Sequence, residues 1–157
     1  MSKIKKQEMR VHCRWMIRRD IFEVLEIERE SFDSPWEETD FVSCLRKDCC
    51  VGMVAEHDKL VVGFYVYELH STRINILNFA VDSRFRHRGI GQQMVEELRR
   101  KLDAKRKRRL ILEVRETNLD AQLFFRKCGF HATSVLEKYY VDSDEDAYVM
   151  QLRFDEG

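Results

Sequence analysis

The chain has 157 residues, with 28 basic and 28 acidic side chains, so its formal net charge is zero. This length is typical of one domain with a real hydrophobic core. A neutral balance argues against a protein that binds nucleic acid through overall charge. No apolar run is long enough to span a membrane, and the N-terminus lacks the hydrophobic region of a secretion signal. We therefore expect a cytoplasmic protein with a basic flexible arm at residues 1–10 and a single domain at residues 11–157.

The cysteines and histidines give no sign of a disulfide framework or a metal site. Five cysteines are scattered along the chain without a Cys-x-x-Cys pair, and the adjacent Cys49 and Cys50 are poorly placed for a structural disulfide. Reduced thiols are the better interpretation. The five histidines lack the spacing of zinc ligands, so we expect no metal.

Hydrophobic periodicity predicts seven strands and four helices in an α/β fold. The predicted strands cover residues 11–17, 50–56, 60–69, 73–81, 109–115, 130–140 and 147–154. The predicted helices cover residues 19–31, 34–46, 90–105 and 118–126, with an apolar face on the first formed by Ile21, Phe22, Val24, Leu25 and Ile27. Ser34 is expected to cap the second helix, Thr117 or Asn118 the fourth, and Gly129 is a typical residue after a helix end. This order favours a mixed central sheet with helices on both faces.

The stretch of residues 74–98 combines a buried strand, a basic glycine-containing loop and an amphipathic helix. The loop reads Arg86-His87-Arg88-Gly89-Ile90-Gly91. Unpaired backbone N–H groups at a helix start attract anions, and glycines allow close approach to that backbone. The hexapeptide alone is a weak signal, since a turn with solvated arginines has the same composition. Its position between a strand and a helix favours a phosphate-binding loop.

Glu113 is the candidate general base. Alternation along residues 110–115 places Glu113 and Arg115 on the face opposite Leu110, Leu112 and Val114. In an internal strand, Glu113 should be at least partly buried, and a buried carboxylate must be paired or have a raised pKa. From spacing alone, an ion pair with Arg115 or another base is as well supported as a catalytic role.

Several other residues have a functional interpretation beside a structural one. For Trp36 and the pair Tyr139-Tyr140, the pattern favours packing over a role in a substrate wall or in catalysis. The basic cluster between Arg99 and Arg109 could bind RNA, a ribosome surface or a cofactor phosphate, but a solvated helix end is favoured. The acidic loop at residues 142–146 could attract a cation, although such runs are usually solvated.

Taken together, the motifs resemble the GCN5-related N-acetyltransferases. The resemblance is carried by Asn78-Phe79-Ala80-Val81, the loop from Arg86 to Gly91, Leu112-Glu113-Val114-Arg115, Asn118 and Gly129-Phe130. Ser34-Pro35-Trp36, Tyr139-Tyr140 and the acidic loop with Asp146-Ala147-Tyr148 are similar to the RimI-like branch. Enzymes of that branch acetylate protein N-terminal amines, in bacteria that of a small-subunit ribosomal protein. The resemblance implies a mostly antiparallel sheet of about seven strands.

The resemblance also implies acetyl-CoA as cosubstrate and assigns residues to it. The pyrophosphate would lie on the backbone amides of residues 86–92, and the pantetheine arm would pair with Phe79 and Val81. The full set of implied cofactor contacts is Phe79, Ala80, Val81, Arg86, His87, Arg88, Gly89, Ile90, Gly91, Gln92, Asn118 and Phe125. The substrate's N-terminus would contact Trp36, Tyr139 and Tyr140. A protein or peptide N-terminus is the implied partner, and neither nucleic acid nor membrane is expected.

The implied mechanism is direct attack of the amine in a ternary complex, with Glu113 as general base, acting through water. An α-amino group has a pKa of about 7.7–8.0 against about 10.4 for lysine, so its deprotonation costs roughly 3–4 kcal/mol less. The family usually has a tyrosine general acid where this chain has Phe125, which cannot donate a proton. Tyr139 or Tyr140 could substitute for it. The rival hypotheses are an enzyme acting on a small amine or a lysine, an acyl-CoA-binding module with weak catalysis, and an RNA- or ribosome-binding protein.

Overall fold

The computed structural model of the chain describes residues 7–154, which form seven strands and four helices in the predicted order. The strands are β1 (His12–Trp15), β2 (Cys50–His57), β3 (Leu60–Leu69), β4 (Arg73–Val81), β5 (Arg109–Arg115), β6 (His131–Leu136) and β7 (Ala147–Arg153). The helices are α1 (Ile21–Ser31), α2 (Glu38–Leu45), α3 (Ile90–Ala104) and α4 (Leu119–Lys127). Short 3₁₀ turns precede α1 at Arg18–Asp20 and follow β4 at Ser83–Phe85.

The strands pair in the order β1-β2-β3-β4-β5-β7-β6. β1 with β2, β5 with β7, and β6 with β7 are antiparallel, whereas β4 and β5 are parallel. Parallel neighbours need a crossover connection, and α3 supplies it here. The predicted mixed, mostly antiparallel sheet is therefore confirmed.

Local sequence signals account for the sharpest turns. Asp58 and Lys59, between β2 and β3, both have positive φ angles of 46° and 68°. Two consecutive left-handed residues are the requirement of a tight hairpin turn. Gly129 has a φ of 102° directly after α4 and donates its N–H to the carbonyl of Arg126. This is the conformation expected of a glycine after a helix end.

The described chain forms two compact units. The first comprises the residues up to Val66 together with Asn78–Glu97, and the second comprises Tyr67–Leu77 and the residues from Leu98 onward. Buried side chains of the first unit include Val24, Phe41, Val54 and Phe64. Those of the second include Ile74, Leu102, Leu110 and Phe130. Truncating one such fully buried side chain to alanine costs about 2–5 kcal/mol of stability. The single domain at residues 11–157 stays a prediction.

Several predicted boundaries are wrong. β6 ends at Leu136, so Tyr139 and Tyr140 lie in the turn beyond the strand. α2 begins at Glu38 instead of near Ser34, and the Asp40 carboxylate accepts the Glu37 N–H at 2.8 Å. An acid in the first turn thus fixes the helix start. Phe22, assigned to the apolar face of α1, is 70% exposed.

The buried Asp20 connects the start of α1 to β1. Its carboxylate accepts two hydrogen bonds from the Arg14 guanidinium at 2.8 and 2.9 Å, and one from the Ile17 N–H at 2.8 Å. The hydrogen bonds from Arg14 hold the pKa of Asp20 below its usual value. This ion pair explains why a charged residue is tolerated at a site that is 3% exposed.

Within residues 7–154, no helix has both the length and the apolar character needed to cross a membrane. All five cysteines are free thiols. Burial raises the pKa of the Cys50 thiol to about 12.

Candidate functional site

The turn between β4 and α3 has the backbone geometry of an anion-binding loop. His87 and Gly89 have φ angles of 64° and 79°, so the chain adopts the left-handed conformation twice within three residues. α3 then begins at Ile90 and runs for 15 residues, and its first N–H groups have no carbonyl partner within the helix. The positive end of the helix dipole adds to the attraction for an anion.

Asp82 fixes the entry to this loop. Its carboxylate accepts the Arg84 backbone N–H at 2.9 Å and pairs with the Arg84 guanidinium at 2.9 Å. The bonds from Arg84 lower the pKa of Asp82. The Asp82 N–H also donates to the Val62 carbonyl at 2.8 Å, which holds the end of β4 to β3. The loop therefore starts from a rigid strand end.

The two predicted basic ligands of the loop differ in their surroundings. Arg86 is exposed, and its Nε lies 3.4 Å from the Val81 carbonyl. Arg88 is half-buried and donates from Nε to the Gln7 carbonyl at 3.0 Å. Both guanidinium groups carry further N–H donors. Left-handed backbone, a helix start and two cations fit a phosphate-bearing group such as CoA.

Residues just before β1 bind directly to this loop. The Met9 N–H donates to the Arg88 carbonyl at 2.9 Å, and Met9 is 7% exposed. Of the predicted basic arm, residues 1–6 lie outside the described part of the chain. Its last residues, from Gln7 onward, contact the loop through Gln7 and Met9.

Gln93 joins residues 9–11 to the loop between β4 and α3, and the sequence analysis missed it. Its side-chain amide donates to the Met9 carbonyl at 2.7 Å and to the Gly89 carbonyl at 3.1 Å, and its oxygen accepts the Val11 N–H at 3.0 Å. A glutamine one turn into a polar helix has no distinctive sequence signal. Only the docking of residues 7–11 gives it a role.

The structure brings together the two residues predicted to be catalytic. Hydrogen bonding with the neighbouring Glu113 carboxylate raises the pKa of Tyr139 to about 12. Glu113 lies near the end of β5, opposite Val149 of β7. The predicted alternation along β5 is confirmed, but Glu113 is exposed instead of partly buried.

Arg115 pairs with the acidic loop instead of with Glu113. Its guanidinium makes two bonds of 3.0 Å to the Asp142 carboxylate and one of 3.3 Å to Glu145. The same group lies 3.9 Å from the centre of the Tyr140 ring. Burial raises the pKa of Tyr140. The acidic loop is thus held by Arg115, and that contact fixes the turn that carries both tyrosines.

The two tyrosines have different environments. Tyr139 is 46% exposed, whereas Tyr140 is half-buried beneath Arg115. Their rings meet edge to face at 5.1 Å. Tyr139 therefore has the accessible hydroxyl.

Trp36 is an anchor of the turn between α1 and α2. Its half-buried indole packs edge to face against Phe41, with the ring centres 5.0 Å apart. Its backbone N–H donates to the Glu28 carboxylate at 3.0 Å. The packing interpretation is confirmed, and the role in substrate binding stays a prediction.

Asn118 and Phe125 occupy defined positions on α4. Asn118 caps the helix, since its side-chain oxygen accepts the Ala121 N–H at 3.1 Å. Phe125 is 5% exposed and packs edge to face against Phe124 and Phe130, at 5.0 and 5.3 Å between ring centres. On β4, Ala80 is buried, while Phe79 and Val81 are half-buried. The Phe79 N–H, a predicted partner of pantetheine, donates to the Asn78 side chain at 2.8 Å.

The basic cluster after α3 forms an open groove. Its lining includes Arg106, Lys107, Arg108, Arg109 and Arg153, together with Asp103. Lys107 donates from Nζ to the Ser71 carbonyl at 3.0 Å. No contact in the groove points to a particular ligand among the described residues, so the solvated helix end remains the simpler interpretation.

The fold and these motifs define an acyl-transferring enzyme class, and comparison with known proteins agrees. The model of the acetyltransferase (GNAT) family matches residues 19–130, so the chain belongs to the GNAT family of N-acetyltransferases. Members of this family use acetyl-CoA.

Individual relatives include proteins named as ribosomal protein bS18-alanine N-acetyltransferases. A Bacillus subtilis protein named as a candidate ribosomal protein bS18-alanine N-acetyltransferase is 31% identical over 138 residues, covering 87% of this chain and 91% of its own. The Escherichia coli K12 ribosomal protein bS18-alanine N-acetyltransferase is 27% identical over 128 residues, covering 80% and 86% of the two chains. The crystal structure of Ard1 from Thermoplasma volcanium superposes with a TM-score of 0.84 at 31% identity, covering 93% of this chain and 99% of that one. The resemblance to the RimI-like branch is therefore confirmed.

Proposed function

We propose that this protein transfers the acetyl group of acetyl-CoA to the α-amine of a protein N-terminus, by direct attack in a ternary complex. The observation that carries the proposal is the exposed Glu113 carboxylate on β5, which lies beside the hydroxyl of Tyr139. An accessible carboxylate suits a general base. The relatives named for bS18-alanine acetylation support an N-terminal amine in preference to a lysine or a small molecule.

The loop at residues 86–92 is the proposed site of the CoA pyrophosphate. Gly89 has the left-handed backbone conformation at the start of α3, and Arg86 and Arg88 supply positive charge. Phe79, Ala80 and Val81 are proposed to contact the pantetheine arm, and Asn118 and Phe125 other parts of the cofactor. Acetyl-CoA supplies the activated acetyl carbon.

Glu113 is proposed to take the proton of the attacking amine through a water molecule. The nitrogen then bonds to the acetyl carbon as the carbon–sulfur bond breaks and CoA leaves as a thiolate. The required base strength is modest, because an N-terminal amine has a pKa of about 7.7–8.0 and is partly neutral near pH 7.

Tyr139 is better suited to orienting Glu113 than to protonating the thiolate. Its pKa is about 12, whereas an ordinary alkyl thiol has a pKa of about 8.5. Proton transfer from Tyr139 to a thiolate is therefore unfavourable. The hydroxyl instead serves as a hydrogen-bond donor that holds the carboxylate in one orientation.

On the acceptor side, Trp36, Tyr139 and Tyr140 are proposed to contact the N-terminal residues of the substrate. Arg115 keeps the two tyrosines in place through Tyr140 and the acidic loop. A ribosomal protein is the proposed partner, by analogy with the relatives. The reaction would then take place in the cytoplasm.

The proposal is tested by incubating the protein with acetyl-CoA and a panel of short peptides that differ in their first residues, and following the release of free thiol. Turnover with N-terminal peptides that stops when their α-amine is blocked supports the proposal. Glu113→Gln should reduce kcat by about 10²–10⁴-fold while the affinity for acetyl-CoA, measured by calorimetry, stays nearly constant. Equal loss of both would make Glu113 a structural residue.

Phe125 motivates a second candidate function, a module that binds acyl-CoA with little catalysis. Phenylalanine at this position removes the usual donor of the proton for the leaving thiolate. If acetyl-CoA binds but no peptide, lysine or small amine is acetylated, this second function replaces the first.

A further inference from the structure

Glu28 is a buried carboxylate that no step of the proposed reaction uses. It lies on α1 and is 1% exposed. Burial raises its pKa, while hydrogen bonds from the Trp36 N–H and Asn78 act in the opposite direction. Replacing a buried ionisable group by an apolar side chain of similar size is often neutral for stability or favourable. Fold stability is therefore a poor explanation for an acid at this position.

Glu28 lies in the middle of a continuous chain of hydrogen bonds. One carboxylate oxygen accepts the Trp36 backbone N–H at 3.0 Å, and the other accepts the Asn78 side-chain amide at 2.8 Å. The Asn78 side-chain oxygen in turn accepts the Phe79 backbone N–H at 2.8 Å. Asn78 is also buried, with 8% exposure. Three short bonds therefore connect the turn after α1 to the backbone of β4.

The two ends of this chain are the residues to which the proposed function assigns different ligands. Trp36 is on the acceptor side, and its indole is fixed by Phe41, which is fully buried. Phe79 is on the cofactor strand. We propose that Glu28 is a positioning residue that couples acetyl-CoA binding at β4 to the order of the acceptor-side turn at residues 32–37. The inference rests on the proposed function, because that function assigns Phe79 to acetyl-CoA and Trp36 to the acceptor.

The polarity of the chain makes the role of Glu28 testable. Both ends are backbone N–H groups, which can only donate. In Glu28→Gln, the chain contains two side-chain amides, that of the new glutamine and that of Asn78. Whichever way each amide is turned, two N–H donors face each other at one point of the chain, and that hydrogen bond is lost. The double substitution Glu28→Gln with Asn78→Asp restores a complete chain, because the glutamine then donates to the aspartate and both N–H groups keep an acceptor. The double variant has the same net charge as the original protein.

The experiment measures hydrogen exchange at residues 32–37, by mass spectrometry, with and without saturating acetyl-CoA. In the original protein, acetyl-CoA should slow exchange in this segment by roughly fivefold or more, since coupling between sites is typically of this size. Glu28→Gln should lose most of the slowing even where calorimetry shows acetyl-CoA bound, and the double variant should regain it. Peptide kinetics should change in the same way: Glu28→Gln should raise the KM for the peptide, with a smaller change in kcat, and the double variant should restore the original KM.

Glu26→Gln is the matched control, because it makes the same chemical change at an exposed position of α1 and should leave exchange and kinetics unchanged. Recovery of the melting temperature in the double variant without recovery of the acetyl-CoA effect would make Glu28 purely structural and overturn the proposal. Bound acetyl-CoA that never slows exchange in residues 32–37 would also overturn it, whatever the peptide turnover. Absence of peptide turnover together with a normal acetyl-CoA effect would overturn the proposed function alone, and a protein that binds no acetyl-CoA would overturn both.

Discussion

Tyr139 offers a direct test of how Glu113 is oriented, through the substitution Tyr139→Phe. The substitution removes the hydroxyl that donates to the Glu113 carboxylate and leaves the ring in place. A hydrogen bond to a charged group contributes about 1.5–3 kcal/mol. Tyr139 is 46% exposed, so water replaces part of the lost bond, and we expect a net loss of about 1 kcal/mol. This corresponds to a decrease in kcat/KM of about fivefold.

The assay is the initial rate of thiol release with the best N-terminal peptide. Tyr148→Phe is the matched control, since it removes a hydroxyl from a tyrosine of β7 that pairs with Val114, on the other face of the sheet from Glu113. This control should change kcat/KM by less than about twofold, and neither variant should shift the melting temperature by more than a few degrees, because a surface substitution typically changes stability by about 0.5 kcal/mol or less.

A double-mutant cycle separates an effect through Glu113 from an independent one. If Tyr139 acts by orienting Glu113, then Tyr139→Phe should have no further effect on kcat in the Glu113→Gln background. Independent, additive losses would refute the reasoning. Equal losses from Tyr139→Phe and Tyr148→Phe would refute it as well, since Tyr148 lies on the other face of the sheet from Glu113.

Three further predictions concern the loop, α4 and the start of α1. Gly89→Val should weaken acetyl-CoA binding about 5–30-fold in calorimetry, because a left-handed conformation costs a residue with a side chain about 1–2 kcal/mol. The new Cβ would also lie 3.2 Å from the Glu8 side chain. An unchanged affinity would show that the loop is not part of the cofactor site. Phe125→Tyr should raise kcat in the peptide assay if protonation of the thiolate limits the rate, and an unchanged kcat would show that it does not. The lowered pKa of Asp20 contributes stability that is complete above about pH 4 and is lost as pH falls through that lowered pKa. Asp20→Asn should therefore make the free energy of unfolding less dependent on pH on the acid side, and it should cost about 2–3 kcal/mol at pH 7. Urea unfolding at a series of pH values measures both effects, and an unchanged pH dependence would contradict this role of Asp20.

Local patterns in the sequence were sufficient for the order of the elements and for several individual residues. The alternation along residues 109–115 predicted which side of β5 is buried, because side chains of a strand point to opposite faces in turn. Thr117 or Asn118 was predicted to cap α4 and Gly129 to follow it, since a side-chain acceptor and a left-handed residue are local requirements of helix ends. The structure has Asn118 as the cap and Gly129 in the left-handed conformation. The family motifs identified the acetyltransferase class.

Only the tertiary structure decided which side chains meet. Glu113 and Tyr139 are 26 positions apart in the sequence, and spacing left an ion pair with Arg115 equally well supported. The segment after β6 brings the Tyr139 hydroxyl close to Glu113, whereas Arg115 forms an ion pair with Asp142 of the acidic loop. The bonds of Glu28 to Trp36 and Asn78, and of Gln93 to residues 9–11, have no local signature at all. Sequence periodicity reports which face of an element is buried, whereas the partner of a polar side chain depends on how distant segments pack.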